Sequence, residues 1–260
     1  MKKEESRFTS GTIFEGMTSI RSVIYASDGG ISDRRIVRIL VDSERCKSRG
    51  KELAWLRVKS RELGFSIEMT SASEIDAITT GNTHGGIVAE CTERTIPSLE
   101  ECEIKPDGFY VMIEGIEDPY NFGYALRSLY ACGADGVVLS PRNWMTAAGV
   151  VCRSSAGASE LLPVYISDGI SAADYFRNRG YKIVCAGIRD SVSSFEADLT
   201  SPIFLIVGGE KRGISAAMLD KADQVVRIDY GRDFGGSLSA ASAATMLGYE
   251  VMRQNRGESK

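Results

Sequence analysis

Three stretches of this 260-residue chain set polar side chains beside short apolar runs and glycines. The first, IEGIEDPYNFGYALRSLYACG, has Asn121 at the mouth of a helix-compatible segment and Arg127 inside it. Taken alone, Asn121 suits a helix N-cap and Arg127 a solvated helix face. The second, IFLIVGGEKRGIS, runs from a strand through two glycines to a helix start, so the backbone N–H groups of Gly208 and Gly209 can approach a ligand closely. Its glycine spacing resembles a P-loop. Gly213, however, is followed by Ile214 and Ser215 and not by Lys and Ser or Thr, which makes nucleotide-phosphate binding of that kind a distant reading. The third, RIDYGRDFGGSLSAASAATMLGYEV, passes from a strand through a glycine-rich loop into a helix of small residues, which implies close helix packing inside the domain or against a partner. Other chemistries lack their residues. With His84 the single histidine, Ser-His-Asp or Cys-His catalysis is excluded unless His84 is itself the base. The six cysteines (Cys46, Cys91, Cys102, Cys132, Cys152, Cys185) include no CxxC pair, so no metal site is expected and the thiols are expected to be reduced.

The elements that must hold these stretches alternate between β-rich and helix-compatible runs. From Phe109 onward the strand candidates are FYVMI (109–113), GVVLS (136–140), KIVCAG (182–187), IFLIV (203–207) and VVRI (225–228). Helix-compatible segments lie near 121–132, 146–157, 171–180 and 237–254. This alternation implies a parallel sheet covered by helices, with ligands bound beyond the carboxyl ends of the strands. The loops to watch are then 114–121, 186–190, 208–214 and 229–237. Upstream, IVRILV (36–41), FSIEM (65–69) and GIVAEC (86–91), a helix-compatible stretch from Arg45 to Leu63, and a capping box of Ser71 and Glu74 describe a smaller α/β unit. TIPSLEECEIKPDG (95–108) has two prolines and no strong period, as linkers do. The expected division is a small α/β domain at 11–94, a linker at 95–108 and a larger α/β domain at 109–256.

Apolar residues make up 43% and charged residues 25%, so a packed core can form. The net charge of −4 argues at first against a nucleic-acid partner. Its distribution argues the other way. Residues 34–61 hold ten Lys/Arg against three acids, whereas 62–118 hold thirteen acids against two bases. A solvated helix face is the plain explanation of such a run. In company with the three stretches above it becomes a candidate phosphate-binding surface, centred on Arg45, Lys47 and Arg49. No apolar run approaches the roughly 18 residues that cross a bilayer, and MKKEESRF lacks a signal peptide's apolar stretch, so no membrane association is expected and a cytoplasmic location is.

In this order and at these intervals the three stretches resemble the motifs of the SpoU (TrmH) family of RNA ribose 2'-O-methyltransferases, within the SPOUT superfamily: DPxNxGxxxR, VGxExxG(I/M) and IxM...SLN. The resemblance covers roughly 109–255. Residues 11–92, with EGMTSIRSVIY and HGGIVAE, look like the small substrate-binding domain that often precedes this catalytic domain. It implies a C-terminal parallel-sheet SPOUT-type domain with a deep trefoil knot, S-adenosylmethionine as cofactor, ribosomal or transfer RNA as substrate, and a homodimer. Carried over by position, the cofactor should contact the backbone around Ala186, Gly208, Ile228 and Leu238, while Asn121, Arg127, Glu210 and Ser237 match the family's polar catalytic positions. The GxGxG motif of the other large methyltransferase class is absent from the chain.

A guanidinium stays charged, which makes Arg127 an awkward general base. Its expected part is to hold the adjacent phosphate and stabilise charge developing on the 2'-oxygen, the proton leaving to phosphate or water. Glu210 would orient Arg127 or Asn121, and Asn121 and Ser237 would position substrate groups. Because the sulfonium donor is already activated, no metal is required. Four departures stand out: Ser239 where the family has Asn, Asp229 where the strand usually runs into Pro, Tyr124 where Ala is usual, and Gly85 where Gln is usual. An RNA-binding protein with this fold and no turnover is the alternative.

Overall fold

The computed structural model describes residues 12–79, 84–141, 147–209 and 213–256, which form two compact units. The first opens with β1 (Ile13–Glu15), α1 (Gly16–Asp28), β2 (Ile36–Asp42), a 3-10 turn (Arg45–Ser48), α2 (Gly50–Leu63), β3 (Ser66–Thr70), α3 (Ala72–Ile78) and β4 (Ile87–Cys91). The sheet order is β1-β4-β2-β3, with β2 and β3 parallel and the other pairs antiparallel. Its core gathers Phe14, Ile20, Ile24, Ile39, Leu56 and Ile87. The capping box is present on α3: Ser71 Oγ accepts the Glu74 N–H at 3.3 Å, and the Glu74 carboxylate accepts the Ser71 N–H at 3.1 Å. Helix α1 carried no such signal. Its N-cap, Glu15, makes no side-chain cap bond, and its buried face mixes Ser19 and Ser22 with Met17, Ile20 and Val23, which blurs the apolar period.

The chain continues through β5 (Phe109–Glu114), α4 (Pro119–Ala131), β6 (Gly136–Leu139), α5 (Ala148–Ser154), α6 (Ala158–Leu161), β7 (Val164–Ile166), α7 (Gly169–Arg177), β8 (Lys182–Ala186), β9 (Val192–Ser193), β10 (Ile203–Gly208), α8 (Ala216–Leu219), β11 (Gln224–Arg227) and α9 (Ala240–Asn255). Strands β5 to β11 form the expected parallel sheet, in the order β7-β6-β5-β10-β8-β11-β9. The central pair, β5 and β10, is apolar and buried along almost its whole length, as strands covered on both faces are. The segment 95–108 is more ordered than a plain linker: Pro97 O accepts the Ile166 N–H at 2.9 Å, Ser98 bridges Ile166, and Leu99 is buried. Helix α9 turns Ala240, Ala241, Ala244 and Gly248 inward, and a Cβ on Gly248 would stand 3.1 Å from Leu129 Cδ2 of α4. Its small residues therefore serve packing inside the domain.

Helices α5 and α6 lie between β6 and β7 in sequence yet pack into the first unit. Cys152 joins that unit's core. Gly149 lets α5 touch β1, since a Cβ there would stand 1.9 Å from Ile13 O. Arg153 Nη1 donates to Glu15 Oε2 at 2.5 Å and Arg94 Nη1 to Ser159 O at 2.9 Å. Arg34 Nε meets Glu160 Oε2 at 3.1 Å, with only 2% and 4% of the two side chains exposed.

Candidate active site

The carboxyl ends of β8, β10 and β11, with the loops that follow them, enclose a cavity of about 690 Å3. Ala186 ends β8, Gly208 ends β10, Ile228 follows β11, and Ser237 and Leu238 precede α9; all five line this cavity. Three of the four loops expected at a site thus meet at one place. The volume lies in the range that holds a nucleoside-sized ligand.

The glycines allow backbones to cross here. A Cβ on Gly208 would stand 2.7 Å from the Gly213 carbonyl carbon, and one on Gly209 would stand 2.5 Å from Gly115. Gly213 holds φ +62 and donates its N–H to Gly209 O at 3.1 Å. The close approach expected between Gly208–Gly209 and a ligand is in the first place an approach to the chain's own backbone, and Gly208 still borders the cavity.

Asp229 stands where proline would stiffen the strand end. It instead accepts from Ser193 Oγ and, at 2.9 Å, from Arg227 Nε, and these bonds, Ser193 first, hold its carboxyl below the usual carboxylate range. Arg227 also donates to Ser191 O at 2.6 Å. The end of β11 is fixed by hydrogen bonds to its neighbour β9 in place of a ring. Further along, the Tyr230 hydroxyl accepts the Leu238 N–H at 3.3 Å and closes the loop, and Ser239 caps α9 by accepting the Ser242 N–H at 3.1 Å.

The polar candidates are less gathered. Helix α4 starts with Asp118 as N-cap, its Oδ1 accepting the Asn121 N–H at 2.7 Å, and Pro119 in the first turn. Asn121 is therefore inside the first turn and not the cap. Arg127 is exposed and makes no ion pair among the described residues. Six residues apart on one helix, Asn121 and Arg127 lie roughly 9 Å apart along the axis and about 240° around it, on different faces. Neither lines the cavity; α4 packs on α9, whose first turn follows Ser237 and Leu238. Glu210 lies outside the described residues.

In the first unit, Arg45 and Lys47 are exposed on the 3-10 turn and Arg49 is half-buried beside it. Arg45 Nε lies 3.4 Å from Asp42 Oδ2 and Arg49 Nη1 2.6 Å from Glu52 Oε2, while Lys47 has no ion pair among the described residues. The turn Gly85–Gly86 presses on both arginines: an added Cβ would stand 2.8 Å from Arg49 Nη2 or 3.0 Å from Arg45 Cδ. Gly85, where glutamine is usual, makes room for Arg49. The buried His84 braces this turn, with Nε2 2.9 Å from Asp76 Oδ1 and Nδ1 accepting the Gly86 N–H at 3.1 Å. It is a structural histidine, in the unit that does not hold the cavity.

The model of the SpoU rRNA Methylase family matches residues 108–249, and the model of RNA 2'-O ribose methyltransferase substrate binding matches residues 20–97. The chain belongs to the SpoU rRNA methylase family. Similar proteins include the 23S rRNA (guanosine-2'-O-)-methyltransferase RlmB of Coxiella burnetii, 27% identical over 92% of this chain and 97% of that one. The fold is shared with the SpoU methyltransferase AviRb of Streptomyces viridochromogenes in complex with AdoMet, at a TM-score of 0.77 and 23% identity over 93% of this chain and 89% of that one. It is also shared with an AdoMet-bound rRNA methyltransferase of Sinorhizobium meliloti, at a TM-score of 0.77 and 21% identity over 97% and 90% of the two chains.

In this SpoU chain the cavity wall suits S-adenosylmethionine. Six glycines border it, and apolar Ile188, Val207, Val226, Ile228 and Leu238 form a wall of the kind that suits an adenosine. The sequence did not single out Ile188, Tyr230 or Phe234, which also line the cavity. Their position in the glycine-bounded loops 186–190 and 229–237 was the available signal.

Proposed function

We propose that this SpoU chain transfers the methyl group of S-adenosylmethionine to the 2'-oxygen of a ribose in ribosomal or transfer RNA. The observation that carries this is the convergence of Ala186, Gly208, Ile228, Ser237 and Leu238, drawn from distant parts of the sequence, on one cavity at the carboxyl edge of a parallel sheet. When bound, the cofactor supplies a methyl group already activated on a sulfonium. The chain's own work is to hold and align. Main-chain groups around Ala186, Gly208, Ile228 and Leu238 grip the adenosine, and Ser237 and Asn121 orient the nucleotide. Arg127 holds a backbone phosphate and steadies charge on the 2'-oxygen, with Glu210 orienting Arg127 or Asn121. Titration calorimetry tests the first step: saturable binding of S-adenosylmethionine, one per chain, is expected, and no binding would remove the basis of the proposal.

The Arg45, Lys47 and Arg49 cluster is the proposed RNA-phosphate contact of the first unit. Neutralising all three is expected to weaken RNA binding and to flatten the dependence of log affinity on log salt by about 0.7 to 0.9 per lost contact, with cofactor affinity unchanged. An unchanged slope would return the cluster to a solvated face.

We further propose that the enzyme is cytoplasmic and works as a homodimer, and that its C-terminal segment is threaded as a trefoil knot. Dimerisation is supported by the large side chains left exposed on the packed helices α4 and α9: Tyr120, Tyr124 and Tyr130 on one, Met246 and Tyr249 on the other. Light scattering at micromolar concentration is expected to give twice the chain mass, and Tyr124→Asp with Tyr249→Asp to give the monomer.

A further inference from the structure

The cavity mouth is rimmed by large apolar side chains that folding leaves in solvent. Ile188 is 79% exposed, Phe234 59% and Tyr230 40%, and all three line the cavity. Phe195, 80% exposed, follows the edge strand β9, whose Ser193 is bonded to the lining residue Asp229. The loop holds Phe234 in place. Its ring lies across Gly236, where an added Cβ would stand 2.5 Å from Cζ, and its centroid is 5.9 Å from that of Tyr230, tilted by 52°. Tyr230 is in turn tied through its hydroxyl to the Leu238 N–H. Arg189 and Arg232, exposed on the two loops that carry these rings, make no ion pair among the described residues. Asp190 and Asp233 follow them directly, so the rim is close to neutral and its rings dominate its chemistry.

We propose that Phe234 and Tyr230 form the platform on which an unpaired nucleobase of the RNA substrate stacks, with Arg189 and Arg232 meeting the flanking phosphates. This rests on the reading of the cavity as the methyl-donor site for an RNA ribose. The 2'-oxygen is carried by C2' and the base by the adjacent C1', so a ribose presenting its 2'-oxygen to the cavity brings its base to the rim. A base stacked inside an A-form helix cannot meet a protein ring, whereas one splayed from a loop or bulge can. Every base has a face that an aromatic ring accepts, and the few phosphate contacts set register. The substrate nucleotide is therefore single-stranded, and the rim selects it for being unstacked.

The test uses the full chain and a ten-nucleotide unstructured RNA with 2-aminopurine at its centre, alone and annealed to its complement. The single strand is expected to bind with a change in 2-aminopurine fluorescence, and the duplex to bind at least tenfold more weakly without it. Phe234→Ala should weaken single-strand binding by about tenfold or more and remove the fluorescence change, and Phe234→Trp should restore both. Arg232→Gln should flatten the salt dependence by about 0.7. Equal binding of single strand and duplex, or an unaltered Phe234→Ala, overturns the platform. Two further results overturn it by naming another occupant: loss of S-adenosylmethionine affinity in Phe234→Ala would make the ring a cover for the cofactor, and a fall in mass by light scattering would make it a contact with a second copy. Failure of the wild-type chain to bind S-adenosylmethionine, read in a separate titration, counts against the methyl-donor reading itself.

Discussion

Replacing Arg127 by alanine is expected to lower single-turnover methylation by about a hundredfold to a thousandfold, the usual cost of removing a donor that stabilises a developing oxyanion. Arg127→Lys should lose nearly as much, because an ammonium keeps the charge but lacks the planar fork that can face a phosphate and the 2'-oxygen together. S-adenosylmethionine affinity should be unchanged in both, since Arg127 is not on the cavity wall. The exposed position of Arg127, with no ion pair among the described residues, leaves its fork available to RNA. Ser239 supplies a contrast. It caps α9, a role asparagine fills as well, so Ser239→Asn should leave activity intact or raise it, while Ser239→Ala should cost about 1 kcal/mol of stability. Full turnover by Arg127→Ala on the correct RNA would remove Arg127 from the chemistry.

The largest expected effect on stability lies in the Arg34–Glu160 pair. Arg34 is enclosed on every side: its Nε meets Glu160, its Nη1 donates to Thr92 O at 2.7 Å, and its guanidinium lies 4.6 Å from the centre of the Phe14 ring. Removing one partner leaves a buried charge unpaired, at a cost of about 3 to 5 kcal/mol. Glu160→Ala and Arg34→Met should each destabilise the first unit by that order, read as faster hydrogen exchange in β2 and β4. The double replacement Arg34→Met with Glu160→Leu should recover much of the loss, because two packed apolar side chains need no partner. Additive losses would mean that the two charges are not coupled. The same contact predicts that residues 1–95 alone, without α5 and α6, will not fold stably.

The sheets were legible in the sequence because β5, β8 and β10 are uninterrupted apolar runs, and α3 because Ser71 and Glu74 announce it. Helix α1 was not, since Ser19 and Ser22 occupy buried positions, the Ser22 hydroxyl satisfied within the helix by donating to the Ser19 carbonyl O at 2.8 Å. Strands β7 and β9 are three and two residues long, too short for alternation to register. Periodicity states which face of a helix is buried and not against what, so nothing in VVCRSSAGASELL foretold that α5 and α6 complete the first unit's core. At the site, the cavity-lining positions came from motif order. The aromatic rim did not, because the exposure of Phe234 depends on how its loop crosses Gly236, which residue types alone do not encode.

The central claim is tested most directly by incubating the full chain with methyl-labelled S-adenosylmethionine and total RNA lacking the modification, then digesting the RNA and identifying the labelled nucleoside by mass spectrometry. A single nucleoside labelled on its 2'-oxygen, absent when Arg127→Ala replaces the wild type, is the predicted result. Label on a base, or a chain that binds the cofactor and transfers no label to any RNA, would contradict it.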